Sequence, residues 1–126
     1  MPMTDYLQNA VANATLRNTA YTSPAAVYAS LYSVAPTESS VGTEITGNGY
    51  SRQSVTFSAP SLGTADSNVA VTFTCSGNNW PVVVAFGVTD ASTAGNILYY
   101  SGISGRTVQV GDSVVFASGD ITIQIT

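Results

Sequence analysis

The sequence predicts a mainly β protein: an antiparallel β-sandwich of jelly-roll type, with about eight strands behind one short N-terminal helix. Three observations predict it. From Ala26 onward apolar and polar residues alternate with period two. Glycine-containing turn clusters interrupt that alternation at intervals of about ten residues. Only the first segment carries helical spacing, with Leu7, Val11 and Ala14 four and three residues apart.

The helix comes first. Thr4 is placed to cap it and Asp5 puts a negative charge in its first turn. Asn18-Thr19 and Ser23-Pro24 end it. Its apolar stripe is thin, so it needs a surface to lean on, either its own sandwich or a neighbouring subunit. Residues 1–25 are therefore read as an N-terminal helix or arm, and residues 26–126 as the β-sandwich domain.

The strands follow in order. "AVYASLYSV" sets Val27, Ala29 and Leu31 on a dry face and Tyr28, Ser30 and Tyr32 on a tyrosine face. "RQSVTF" and "NVAVTFT" repeat the pattern through Val55, Phe57, Val69, Val71 and Phe73. "PVVVAFGVT" is apolar on both sides, which predicts a central strand covered twice. "NILYYSGI", "RTVQV", "SVVFA" and "DITIQIT" complete the set, the last with Ile121, Ile123 and Ile125 in strict alternation. The longest connection, residues 36–49, holds two of the seven acids, and long loops on sandwiches often carry contacts.

Composition narrows the function. Charged residues make up 8% of the 126, with no lysine and no histidine, and the net charge is −4. Nucleic acid is not expected as a partner, because its binding relies on cations that displace phosphate counterions. The start "MPMTDYLQNAVANA" lacks a basic region and a long apolar run, so neither a signal peptide nor a membrane partner is expected. Without histidine there is no Ser-His or Cys-His pair, and without lysine no Schiff base or phosphate-loop lysine. Five acids (Glu38, Glu44, Asp90, Asp112 and Asp120) fall in turn clusters, where aspartate bonds the local backbone. No enzyme activity, metal or cofactor is expected. "DASTAGN" around Asp90 reads as a hairpin connection rather than a calcium loop. Trp80 reads as a plug at the end of the sandwich, with a sugar-stacking role as the alternative, and Cys75 as a small buried residue.

What remains is a surface of Ser, Thr, Asn, Gly and Tyr, which loses little side-chain entropy on docking. The tyrosines Tyr21, Tyr28, Tyr32, Tyr50, Tyr99 and Tyr100 are too many for one small core, since each buried hydroxyl needs a partner. They are candidates for a subunit interface, where tyrosine is enriched. The arm adds Tyr6, Leu7 and Val11, and the long loop adds Glu38 and Glu44.

The stretches "LRNTAYTSPAAVYASLYSVAP", "GTEITGNGYSRQSVTF", "VVVAFGVTDASTAGNILYYSGI" and "RTVQVGDSVVFASGDITIQI", in that order and spacing, carry a resemblance. From about Leu16 to Thr126 the chain resembles small tailed-bacteriophage virion proteins commonly labelled phage tail fibre proteins. The resemblance implies a structural part of a phage particle and brings no catalytic residues. A single small unit without a repetitive shaft suits a capsid decoration (cement) protein on the outer surface of the head. Such a protein bridges major capsid subunits as a homo-oligomer, with a trimer favoured. The alternative is a tail fibre or tail-tip module that meets tail proteins and binds the host surface. A carbohydrate-binding sandwich using Trp80 and tyrosines is the third reading.

Overall fold

A computed structural model describes residues 1–125 and bears out the mainly β class. One helix, α1 (Asp5–Leu16), precedes the strands β1 (Val27–Val34), β2 (Thr43–Glu44), β3 (Gln53–Val55) and β4 (Thr64–Asp66). Then come β5 (Val71–Thr74), β6 (Val83–Thr89), β7 (Ile97–Arg106), β8 (Ser113–Phe116) and β9 (Thr122–Gln124). Nine strands thus stand among the described residues where about eight were expected. The two short additions, β2 and β4, lie inside segments expected to be turns. "RTVQV" is not a strand of its own: Arg106 ends β7, and Val108 is a buried loop residue whose carbonyl accepts from the Trp80 N–H at 3.0 Å.

The main sheet runs β2-β1-β6-β7, with β3 also paired to β1. Two antiparallel ladders, β4-β9 and β5-β8, supply further strands. The core gathers Ala29, Leu31 and Val55 with Val71, Phe73 and Val114. Phe73 centres its aromatic part, with Tyr50 stacked at 5.9 Å and Phe116 edge-on at 6.4 Å. As expected, β6 is covered on both sides. Its pairing with β7 is irregular between Val83 and Ala85, where four residues of β7 span two of β6. Val83 lies in the core, while Val82, just before the strand, is 48% exposed.

β1 departs from the expected dry and tyrosine faces, because both of its faces are buried in the middle. The second face closes over Tyr32, whose hydroxyl lies 2.9 Å from Ser30 Oγ. Gly87 makes room for it: a β-carbon there would stand 3.1 Å from Tyr32 Cε1.

The arm is built into the edge of the sheet. Met3 pairs antiparallel with Tyr99, the Thr4 N–H donates to the Leu98 carbonyl at 3.0 Å, and Tyr100 N–H donates to the Pro2 carbonyl at 3.2 Å. Thr4 caps α1 as expected, its hydroxyl accepting from the Leu7 N–H at 3.4 Å. The same hydroxyl donates to the Ile97 carbonyl at 2.6 Å, tying the helix start to β7. Leu7 is the one buried residue of α1. Removing residues 1–15 is expected to keep the β-rich circular dichroism spectrum. It should cost about 2 kcal/mol from Leu7 alone, which lowers Tm by about 8 °C. Loss of the β spectrum would show instead that the arm is part of the core.

Candidate functional site

The helix start brings together segments far apart in sequence. The Asp5 N–H donates to the Glu38 carbonyl at 2.8 Å, fastening α1 to the loop after β1. That loop is held by a turn in which Thr37 N–H donates to the Ser40 carbonyl at 2.9 Å. On the other side of the helix, Asn18 takes a left-handed conformation (φ 52°), and the Asn13 carbonyl accepts from Thr19 N–H at 3.1 Å. The chain therefore folds back beside α1 before it enters β1. The β6–β7 hairpin closes the third side. There Asp90 accepts from the Asn96 backbone N–H at 2.7 Å and from its side-chain amide at 3.2 Å. The Asp90 loop thus spends its carboxylate on turn geometry, as its sequence suggested.

Tyr6 stands between these segments, 44% exposed, and lines two adjoining recesses. One, of about 270 Å³, is bounded by Ala10, Asn13, Thr19, Tyr21 and Thr22. The other, of about 260 Å³, is bounded by Asp5, Glu38, Ser39, Ser40 and Asn96. Tyr99 and Tyr100 on β7 are half-buried, and Tyr99 lines a separate apolar recess with Val27, Phe57 and Leu98. Their phenols report the neighbourhood. Burial raises the Tyr21 phenol above its ordinary value, with Tyr6 and the Asp90 carboxylate adding to the effect. Tyr99 is raised by burial and then by Tyr21. Tyr100 is raised by burial and then by the Glu38 and Asp5 carboxylates. Three sequence candidates, Tyr6, Tyr21 and Glu38, line these recesses, and Tyr99 and Tyr100 lie within the electrostatic reach of Tyr21, Glu38 and Asp5.

The other candidates do not join them. Leu7 is 5% exposed and anchors the helix from beneath. Tyr32, at 1% exposure, is likewise interior, because Gly87 admits its ring and Ser30 satisfies its hydroxyl. Val11 is exposed along α1, and Tyr28 is half-buried on β1. Tyr50 and Glu44 belong to a separate interior clasp. β2 and β3 share one edge of β1, and in the gap between them the Leu31 N–H donates to the Tyr50 hydroxyl at 3.0 Å. That hydroxyl donates to Glu44 Oε2 at 2.5 Å, and Arg52 pairs with both oxygens of Glu44 at 2.8 and 2.9 Å. Sequence reasoning missed Arg52. Its signal was an acid and a cation flanking Gly47-Asn48-Gly49 in a chain with three cations.

Trp80 is 5% exposed and donates through Nε1 to the Asn48 carbonyl at 2.9 Å, so it is the plug that was expected and offers no stacking platform. Cys75 is buried at 1%.

The interior phenols give a pH expectation. Burial pushes Tyr50 far above the ordinary tyrosine value of 10.0, helped by the hydrogen bond it donates to Glu44. Burial also raises Tyr32. A phenol whose folded pKa lies above its unfolded value stabilises the fold fully below that unfolded value, and the contribution is lost as pH rises beyond it. Stability should therefore be level with respect to these groups up to about pH 10 and fall above it. In an absorbance titration at 295 nm, Tyr32 and Tyr50 should ionise only as near-ultraviolet dichroism is lost. Ionisation of all seven tyrosines with the fold intact would contradict this.

Fold and surface together define a small β-sandwich module whose helical end presents tyrosines, hydroxyls and carboxylates. The family described as podophage GP4 fiber I protein gp80 matches residues 2–124, and the chain belongs to that family. It is a bacteriophage structural protein, a component of the virion. A comparison with curated proteins finds no match.

Proposed function

We propose that this chain is a tail fibre or tail-tip module that binds the host surface, acts without catalysis and works as a homo-oligomer, with a trimer favoured. The observation that carries the reading is the match to a podophage fibre family over nearly the whole chain. The helical end around Tyr6 is the contact surface in this reading. It combines weak charge with aromatic side chains, which lose little entropy on docking. Tail proteins hold the module on the particle. The capsid-decoration expectation, with the major capsid protein as partner, draws no support from the fibre family.

Copy number tests the placement. A tail fibre is present in a few tens of copies per particle and a decoration protein in hundreds, so densitometry of purified virions separates them. Gold-labelled antibody against the chain is expected at the tail. Label spread over the head would return the reading to capsid decoration.

A further inference from the structure

We propose that the two recesses flanking Tyr6 are adjoining subsites for neutral pyranose units of a saccharide. The inference rests on the host-facing reading and adds the chemical class of what is bound. Its first support is shape: Tyr6 lines both recesses, so a ligand of two or more linked rings can reach one from the other past a single side chain. Together the recesses reach the several-hundred-Å³ range of small-molecule sites, which a flat protein contact does not need.

The second support is chemical. Tyr6 and Tyr21 line the first recess, and in this proposal their rings pack against the C–H side of a sugar. The Asn13 amide and the Thr19 and Thr22 hydroxyls both donate and accept, as sugar hydroxyls do. In the second recess the Asp5 and Glu38 carboxylates accept from sugar hydroxyls, while Asn96 supplies an amide. Among the described residues the side chains of Tyr6, Asn13, Tyr21 and Thr22 take no hydrogen-bond partner, which leaves their polar atoms available.

The third support is charge. Neither recess is lined by a cation, and the second carries two carboxylates, so sialylated, sulfated or uronic sugars are disfavoured. The walls are nevertheless fixed, by the Asp5–Glu38 backbone bond at 2.8 Å and the Thr19–Asn13 bond at 3.1 Å. A site held in shape before binding loses less entropy when it is filled.

The test applies the full-length protein to an array of neutral di- to tetrasaccharides, with sialylated and sulfated glycans beside them. Affinity for each array hit is then measured by calorimetry. At least one neutral saccharide should bind. Tyr6→Ala and Asn13→Ala should each weaken it about tenfold, while Tyr6→Phe, which keeps the ring, should stay within about threefold. Neither Tyr6 nor Asn13 is a buried residue, and an unchanged dichroism spectrum verifies each variant's fold. Binding should persist in 1 M salt, because no ion pair is involved.

Binding to no neutral saccharide overturns the proposal. So does binding that all three variants leave unchanged, binding only to anionic glycans, or binding abolished by salt, which indicates a charge-driven contact. The placement on the particle is decided separately. Tail labelling without saccharide binding removes this inference and leaves the fibre reading, whereas saccharide binding with head labelling does the reverse.

Discussion

Trp80→Ala should cost about 3–5 kcal/mol and lower Tm by about 12–20 °C. The indole is 5% exposed and meets the Tyr50 ring edge-on at 5.7 Å. Truncation therefore empties a large volume at the end of the core, where Tyr50 in turn stacks on Phe73. It also removes the donor to the Asn48 carbonyl, in a turn where Asn48 already holds a positive φ of 53°. Trp80→Phe keeps most of the buried ring and should cost only about 1–2 kcal/mol. Thermal melts followed by circular dichroism provide the measurement. A Trp80→Ala melt within a degree or two of the parent would refute the plug assignment. Saccharide affinity of the folded variant at low temperature should be unchanged, since the indole is distant in role from the Tyr6 surface.

Period-two alternation located β1, β3, β5, β6, β7, β8 and β9, because strands with one apolar face write that face into every second residue. It failed where few residues pair or where pairing is irregular. β2 and β4 are two and three residues long, too short to carry a period. At Val83 the pairing with β7 is irregular, and "PVVVAFG" does not tell which valine is buried, since valine occupies both sides. The tyrosine face of β1 was misjudged for a related reason. Ser30 and Tyr32 are polar enough to suggest solvent, yet their hydroxyls satisfy each other, and Gly87 on the facing strand opens the needed space. A satisfied pair of hydroxyls costs little to bury, and its partner two residues away is invisible to a pattern of polarity alone.

The site was legible as composition and not as geometry. The tyrosine excess and the arm marked Tyr6, Tyr21, Tyr99 and Tyr100, and the long loop marked Glu38. What drew them together is backbone bonding: Asp5 to Glu38, and Met3 to the edge of β7. Such bonds depend on no side-chain type. Asn13 and Asn96 were not marked as contacts, because an asparagine in a helix or turn has a local explanation, and only the fold shows both lining recesses with Tyr6.

Arg52→Ala is the second large effect, and it connects the interior with that surface. The guanidinium engages both oxygens of Glu44 and donates through Nη1 to the carbonyls of Ala91 and Ala94 at 2.8 and 2.7 Å. Its side chain is 11% exposed and that of Glu44 is 23% exposed. Removing it leaves a half-buried carboxylate with the Tyr50 hydroxyl as its remaining donor, at an expected cost of about 3 kcal/mol. Tm should fall by about 12 °C. Arg52→Lys should recover less than half of this, because a single ammonium cannot fork across a carboxylate and also reach two carbonyls. The same bonds hold the 90–96 hairpin turn, whose Gly95 and Asn96 line the second recess beside Tyr6. Loosening the clasp therefore frees one wall of the surface without touching it. In folded Arg52→Ala, amide exchange at residues 91–96 should accelerate at least about tenfold while that at Asn13 stays unchanged. Equal protection at 91–96 in parent and variant would mean that the turn holds its shape through the Asp90–Asn96 bonds alone, and that the clasp serves only the core.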